Sequence, residues 1–319
     1  MMTMYTNKNL NFLNNIFAKL KAAEQDNSGY SLSKATILKV FDATKTYTTE
    51  DILARLTLID SMYSTQMSRR YYVVMLHSAF QRSMYSTQMS RRYYGLEELA
   101  KVLAEINQNK PLEKAFIDFL KDKSYDPFVI KGKKTNLFSE KYGIGKNGED
   151  KGQAVSLISK YAYFETEFRF PIYDSIVREM YPRIWNYCGF KEKMLEIKAN
   201  DMVSFIEAID LLIRQLDCTD VTYDTLDRVL WYVGKIYRGN LSLVLSREEY
   251  DAFAEKFTTL NDKGKKELTF DIAEVDLKSL PIKKDSLVYD FFVLAKELKR
   301  LDNKPWDNAH SPQVAGIID

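Results

Sequence analysis

Residues 143–177 read GIGKNGEDKGQAVSLISKYAYFETEFRFPIYDSIV, and this stretch decides the fold. Its glycines make a turn, and from Gly152 to Phe164 the apolar positions Ala154, Leu157, Ile158, Tyr161 and Ala162 recur at steps of three and four. That period predicts an amphipathic helix with one face buried along its length. Pro171 forbids further helix and pushes Phe170 toward an extended conformation. Asp174 follows, and a second helix-like run begins, Ser175 to Tyr181. Asp174 or Ser175 is the natural N-cap of that run. A carboxylate there is held in its charged form by the free backbone N–H groups and the helix dipole.

Outward from this centre the chain reads as helix nearly throughout. Only 12 Gly and 7 Pro occur in 319 residues, and long stretches are rich in Leu, Lys, Glu and Ala, which favours a mainly α fold with little β structure. Upstream, residues 3–25 predict a first helix with Leu10, Phe12, Leu13, Ile16, Phe17 and Leu20 buried. Ser33 caps a short helix through Phe41, Thr49 begins another that passes Ile59, and Pro111 introduces one over 111–122. Tyr125 to Phe138 contains a brief extended segment. Downstream, Asp201–Leu216 is strongly amphipathic, and Thr222 caps a helix that buries Leu226, Val229, Leu230 and Val233. Residues 262–266 read as a charged linker, followed by a short strand at 268–272, a last helix over Leu287–Leu301 and a tail from Asn303. The expected division is a helical domain over 1–261 and a linker with a C-terminal extension over 262–319.

Between the upstream helices, SMYSTQMSRRYY occurs twice without a mismatch, at Ser61–Tyr72 and Ser83–Tyr94. The offset of 22 residues is about six helical turns, so one helix can carry both copies on nearly the same face. A tandem duplication in which one copy keeps the original role accounts for it, since repeat folds need three or more units. The other reading is a basic and aromatic surface, with Arg91, Arg92 and Tyr93 of the second copy suited to phosphates and unstacked bases.

Composition bounds the function. With 45% hydrophobic and 28% charged residues and a formal charge of +2, the chain can bury a large core, but a polyanionic partner must meet a local patch. Two cysteines, Cys188 and Cys218, are too few for a disulfide framework, a structural zinc or an iron–sulfur site, so neither metal nor cofactor is expected. No membrane-spanning run is present, and the cytosol is the expected compartment. The most basic loop lies between Lys131 and Lys151, where six lysines flank the glycines. Gly143, Gly145 and Gly148 let the backbone approach a ligand closely, and with Lys146 and Lys151 they form a candidate phosphate contact. The same glycines match G-x-G-x-x-G, with Glu165 about 20 residues on, but a dinucleotide fingerprint needs a strand before the glycines and a second ending at the acid. Here FSEKY precedes the turn, and Glu165 ends a helix.

The order of glycine hairpin, amphipathic helix, short loop and FPIYDSIV resembles the helix-hairpin-helix DNA glycosylases, above all their adenine and 8-oxoguanine branches. In that superfamily a Pro-x-x-Asp or Pro-x-Asp segment after the hairpin's second helix delivers the catalytic aspartate. The resemblance covers about 35 residues and implies a helical array of that type, Asp174 as the catalytic carboxylate, and DNA as the partner. Gly143, Gly145, Lys146, Gly148 and Lys151 would hold its backbone. Lys160, Tyr161, Tyr173, Arg91, Arg92 and Tyr93 are the candidate contacts to base or strand. Lys151 lies before, and Lys160 after, the place of the lysine that bifunctional members use, so the implied activity is monofunctional hydrolysis of an N-glycosidic bond. A carboxylate beside the sugar stabilises an oxocarbenium-like charge and can activate water, while the base is rotated out and held between aromatic walls. The alternative is a non-catalytic DNA-binding or phage-defence module that retains the fold.

Overall fold

A computed structural model describes residues 3–23, 29–44, 46–63, 96–121, 128–130, 133–135, 155–198, 201–260, 266–268 and 270–302. The chain is mainly α, as its composition implies. In order, the helices are α1 (Thr3–Ala23), α2 (Gly29–Ala43), α3 (Thr49–Tyr63), α4 (Leu96–Asn107), α5 (Leu112–Lys121), α6 (Val155–Glu165), α7 (Ser175–Cys188), α8 (Met202–Leu216), α9 (Tyr223–Tyr237), α10 (Arg247–Phe257) and α11 (Leu287–Asp302). Two antiparallel strand pairs accompany them, β1 (Phe128–Ile130) with β2 (Lys133–Thr135), and β3 (Thr258–Leu260) with β4 (Lys266–Leu268). Both are three residues long, too short to organise a fold.

The chain divides into two compact units, each discontinuous in sequence. Unit 1 holds residues 1–19, 179–192 and 228–319, and unit 2 holds residues 20–178 and 193–227. This division does not follow the expected boundary at 261. In unit 1, α11 is part of the core: Phe291, Phe292, Leu294, Ala295 and Leu298 are buried, Tyr232 stacks on Phe291 at 5.3 Å, and Lys19 pairs with Asp290 at 2.7 Å. The C-terminal region is therefore a structural member of unit 1, because its apolar stripe is part of what that core is made of.

Unit 2 is built around α6. The sequence predicts an amphipathic helix, but Val155, Leu157, Ile158, Ser159, Lys160, Tyr161, Ala162, Tyr163 and Phe164 are all buried. A helix covered on every side belongs at the centre of a domain. Helices α2 and α3 pack against it, α4 packs against α3, and α5 packs against α4 and α8. Helix α3 begins at Thr49, as expected, and Thr48 caps it: its Oγ1 accepts the Asp51 N–H, and its own N–H donates to the Asp51 carboxylate. Asp201 caps α8 by accepting from the N–H groups of Val203 and Ser204 at 3.0 and 3.1 Å.

Helix α6 ends before proline can act on it. Glu167 and Phe168 adopt left-handed backbone, φ 52° and 71°, and the Phe168 N–H donates to the Tyr163 carbonyl while the Glu167 N–H donates to that of Phe164. This is the paired closure that satisfies the last carbonyls of a helix, made here without glycine. It also brings the Phe168 ring onto Tyr163, with centroids 4.8 Å apart. Helix α7 in turn runs through Pro182 to Cys188 instead of stopping at Tyr181. Ile184, Trp185, Tyr187 and Cys188 are buried beyond the proline, and that burial outweighs the one hydrogen bond the ring removes.

Candidate functional site

The site is assembled in unit 2 by the segment Phe170–Asp174, which runs extended from the end of α6 to the start of α7. Phe170, Pro171, Ile172 and Tyr173 are buried. The Tyr173 N–H donates to Oγ of Ser159, a buried α6 residue, at 2.9 Å, and the Tyr173 ring lies against Phe205 at 5.1 Å. Pinned in this way, the segment delivers Asp174 as the N-cap of α7: its Oδ1 accepts the Ile176 N–H at 2.7 Å, and its carbonyl accepts the Arg178 N–H at 3.0 Å. Asp174 itself is only half-buried. One carboxylate oxygen is thus fixed by the helix terminus, on a side chain that still reaches solvent.

Lysines and carboxyl groups gather behind it. Lys160 of α6 is buried, only 4% exposed, and its ammonium acts on the Asp227 carboxyl of α9 together with Asp174, Asp224 and Lys34. Asp224 is fully engaged: Lys34 of α2 pairs with its Oδ2 at 2.6 Å, and the Tyr163 hydroxyl donates to its Oδ1. Lys34 also stands 3.5 Å above the centre of the Phe168 ring, the ring placed by the left-handed turn. Asp227 has a different environment. It is half-buried as a residue, yet its Oδ1 is sealed from solvent and accepts no hydrogen bond. Burial, then the charge of Asp174, pushes its carboxyl well above the usual carboxylate range, against the pull of Lys160 and Lys34. It lines a recess with Pro171, Ile172, Val177, Phe205, Ile209, Tyr223 and Leu226, and that recess has room for about one water molecule.

The residues named from the sequence fall into three groups. Asp174 and Lys160 both act electrostatically on the Asp227 carboxyl, with opposite sign. Tyr161 and Tyr173, expected as contacts to a base, are core side chains. Tyr161 is 0% exposed, its hydroxyl bonds the Asn107 amide, and its ring lies between Phe41 and Phe116, which leaves no face for a base. Tyr173 is 6% exposed, packed on Phe205 with the Arg178 guanidinium 5.1 Å from its ring. Gly143, Gly145, Lys146, Gly148 and Lys151 of the hairpin, and Arg91, Arg92 and Tyr93 of the duplicated segment, lie outside the described residues. Glu165, the acid of the dinucleotide pattern, is occupied elsewhere. It pairs with Arg55 and accepts from the Tyr47 hydroxyl at 2.8 Å.

Sequence reasoning missed Ser159, Lys34, Asp224 and Asp227. Asp224 and Asp227 stand three apart in YDTLDRVL, a spacing that places two carboxyls on one helix face, and Lys160 sits inside the apolar run of α6. A charge in an apolar phase was the available signal. Among the described residues, no group of three or more His, Cys, Asp or Glu is placed to hold a metal ion, and no helix is long and apolar enough to cross a membrane. Compared with protein-family models, curated proteins and solved structures, the chain matches none.

Proposed function

We propose that the chain is a DNA-binding, base-excision protein, an N-glycosylase-like hydrolase that acts on a flipped, modified base with Asp174 as its catalytic carboxylate. The observation that carries the reading is the setting of Asp174: a half-exposed carboxylate at a helix N-terminus, delivered by a buried, pinned Phe-Pro-Ile-Tyr segment. A helix N-terminus is a favourable place for negative charge, which is what a sugar cation needs beside it. In the reaction the bond from C1′ to the base nitrogen breaks, and its electron pair leaves with the base. The carboxylate faces the oxocarbenium-like sugar, a water adds to C1′, and Asp174 takes the proton which that water loses. Hairpin amides, Lys146 and Lys151 would hold phosphates, and affinity would fall steeply with salt.

The test is binding of fluorescent duplex DNA carrying modified bases across a salt series, with released base detected in the same samples. The reading expects a steep salt slope, release by the wild-type protein and none by Asp174→Asn. Release that survives Asp174→Asn would remove the role given to Asp174. A second reading is supported by the burial of Tyr161 and Tyr173 as core side chains rather than walls for a base: a DNA-binding or defence module of the same fold that performs no excision. It expects salt-sensitive binding, weakened by Lys146→Glu with Lys151→Glu, and no release from any substrate.

A further inference from the structure

Away from Asp174, three helices of unit 1 bring cations to one face. Helix α7 contributes Arg183, the end of α9 contributes Lys235 and Arg238, and α11 contributes Lys299. Tyr237 joins them. The Arg183 guanidinium lies 4.7 Å and the Lys299 ammonium 4.3 Å from its ring centre, and its hydroxyl donates to the Asp302 carboxylate. Arg183 donates from Nε to that same carboxylate and from Nη1 to the Glu179 carbonyl, each at 2.7 Å. Arg238 gives Nε, at 2.7 Å, and one terminal nitrogen to the Glu179 carboxylate. The Arg238 N–H still reaches the Gly234 carbonyl, so Trp231, Lys235 and Arg238, at steps of four and three, share one side of the helix. Lys235 stands 5.0 Å from the Trp231 ring centre.

On this face Arg183, Lys235, Arg238 and Lys299 meet only the carboxylates of Glu179 and Asp302, and both are spent on the arginines. Lys235 and Lys299 have no ion pair among the described residues, and the second terminal nitrogen of Arg238 has no acceptor among them. The arginine side chains keep 26% and 36% of their exposure. Aromatic rings hold the lysines in place, carboxylates fix the planes of the guanidiniums, and the C-termini of α9 and α11 favour positive charge here. Forked arginine donors held in this way fit phosphate oxygens. Protein interfaces are depleted of charge at their centres, whereas nucleic-acid interfaces are polar and positive.

We infer that this face of unit 1 binds the phosphodiester backbone of a nucleic acid. Lys235, Lys299 and the open edge of Arg238 are the phosphate contacts, and Trp231, Tyr237, Glu179 and Asp302 hold them ready. Such contacts add affinity and register without reading sequence. A nucleic-acid partner is the one premise this face shares with the proposed function; it needs neither excision at Asp174 nor the hairpin.

The experiment is binding of fluorescent duplex DNA of several sequences to the full chain across a salt series. Lys235→Gln with Lys299→Gln should weaken binding alike on every sequence and lower the salt slope by about 2. Lys283→Gln with Lys284→Gln, which removes two exposed lysines before α11, should leave the slope as it was. An unchanged slope in the first pair, or an equal loss in both, overturns the inference. Lys235→Arg with Lys299→Arg keeps the charge and should bind as the wild type does; failure there would mean that the substitutions act through the fold, against the inference. Polyglutamate that displaces the DNA as well as unlabelled DNA does would overturn the assignment to phosphate. Loss in Lys146→Glu with Lys151→Glu but none in the Lys235 and Lys299 pair would remove this face and keep the hairpin, and the converse would keep the face and remove the hairpin. No binding by the wild type at low salt defeats both.

Discussion

Asp224 shows how a single buried carboxylate can be made tolerable. It stands on the first turn of α9, where a negative charge is favoured, and it meets an ammonium on one oxygen and a phenol on the other. Removing the phenol leaves an enclosed acceptor short of its donor, so Tyr163→Phe should destabilise the protein by about 1–3 kcal/mol, read from the urea midpoint at unchanged slope. The same change made in an Asp224→Asn background should cost less, since the acceptor it orphans no longer carries a charge. None of this was legible from the chain alone. Asp174 was, because a proline before it and a helix after it fix where an aspartate must cap. Asp224 and Asp227 were not, because in a helix that also presents Arg228 and Tyr232 a pair of acids reads as the wet face. The partners that contradict that reading, Lys34 and Tyr163, are 190 and 61 residues away.

At the scale of elements, the ends of α6 carry as much information as its body. Periodicity predicts the helix correctly and its burial only in part, since Ser159 and Lys160 break the apolar pattern yet lie inside. The stop at Glu165 comes from two left-handed residues that no glycine marks. Glu167 is exposed and contributes backbone alone, so Glu167→Gly should relieve left-handed strain and raise stability by up to about 1 kcal/mol. Phe168 also supplies the ring beneath Lys34 and against Tyr163. Phe168→Gly should therefore destabilise in spite of the same backbone relief, and the opposite signs of the two midpoint shifts are the check. Arg55 ties the other end of this layer. Its guanidinium donates to the carbonyls of Phe41 and Thr44 at 2.8 and 2.6 Å, to the Thr44 hydroxyl at 2.7 Å and to Glu165, so one side chain closes α2, sits on α3 and holds the end of α6. Arg55 and Glu165 are 1% and 5% exposed. Arg55→Met alone leaves a buried carboxylate unpaired and should cost about 3–5 kcal/mol, whereas adding Glu165→Gln should restore a substantial part. Equal losses in the single and double variants would mean that the arginine acts through the α2 carbonyls only. The arginine stands among Ile52, Leu56 and Ile59, all buried, and that position in the stripe was its signature in the sequence.

For the whole molecule, the folding units are not the segments the sequence suggests. The charged stretch at 262–266 looks like a boundary because composition changes there, but composition records solvent contact and not which helices share a core. Unit 1 closes only when its three separate stretches, 1–19, 179–192 and 228–319, meet. Asn9 donates to the Tyr187 carbonyl at 2.8 Å, and Phe253 contacts Phe270 and Phe292 at 4.9 and 6.4 Å. Its buried groups also set a pH limit. Burial pushes the Cys188 thiol and the Tyr187 phenol each up to about 12. The folded state therefore holds protons that the unfolded chain has already released. Their contribution is complete below the ordinary values of these groups and is lost as pH rises through the raised ones. Resistance of the full chain to urea should weaken over that alkaline window, and Cys188→Val should diminish the loss, because an apolar side chain of similar size has no proton to give. If α11 is core rather than appendage, a chain ended at residue 261 must also lose the hydrogen-exchange protection of Val229, Leu230, Val233 and Ile236, all buried in unit 1. The amides of α6, in a unit with no residue beyond 227, should keep theirs. Retained protection at Val229–Ile236 in the shortened chain would show that this core closes without Phe291 and Phe292, and that the expected boundary at 261 was sound after all.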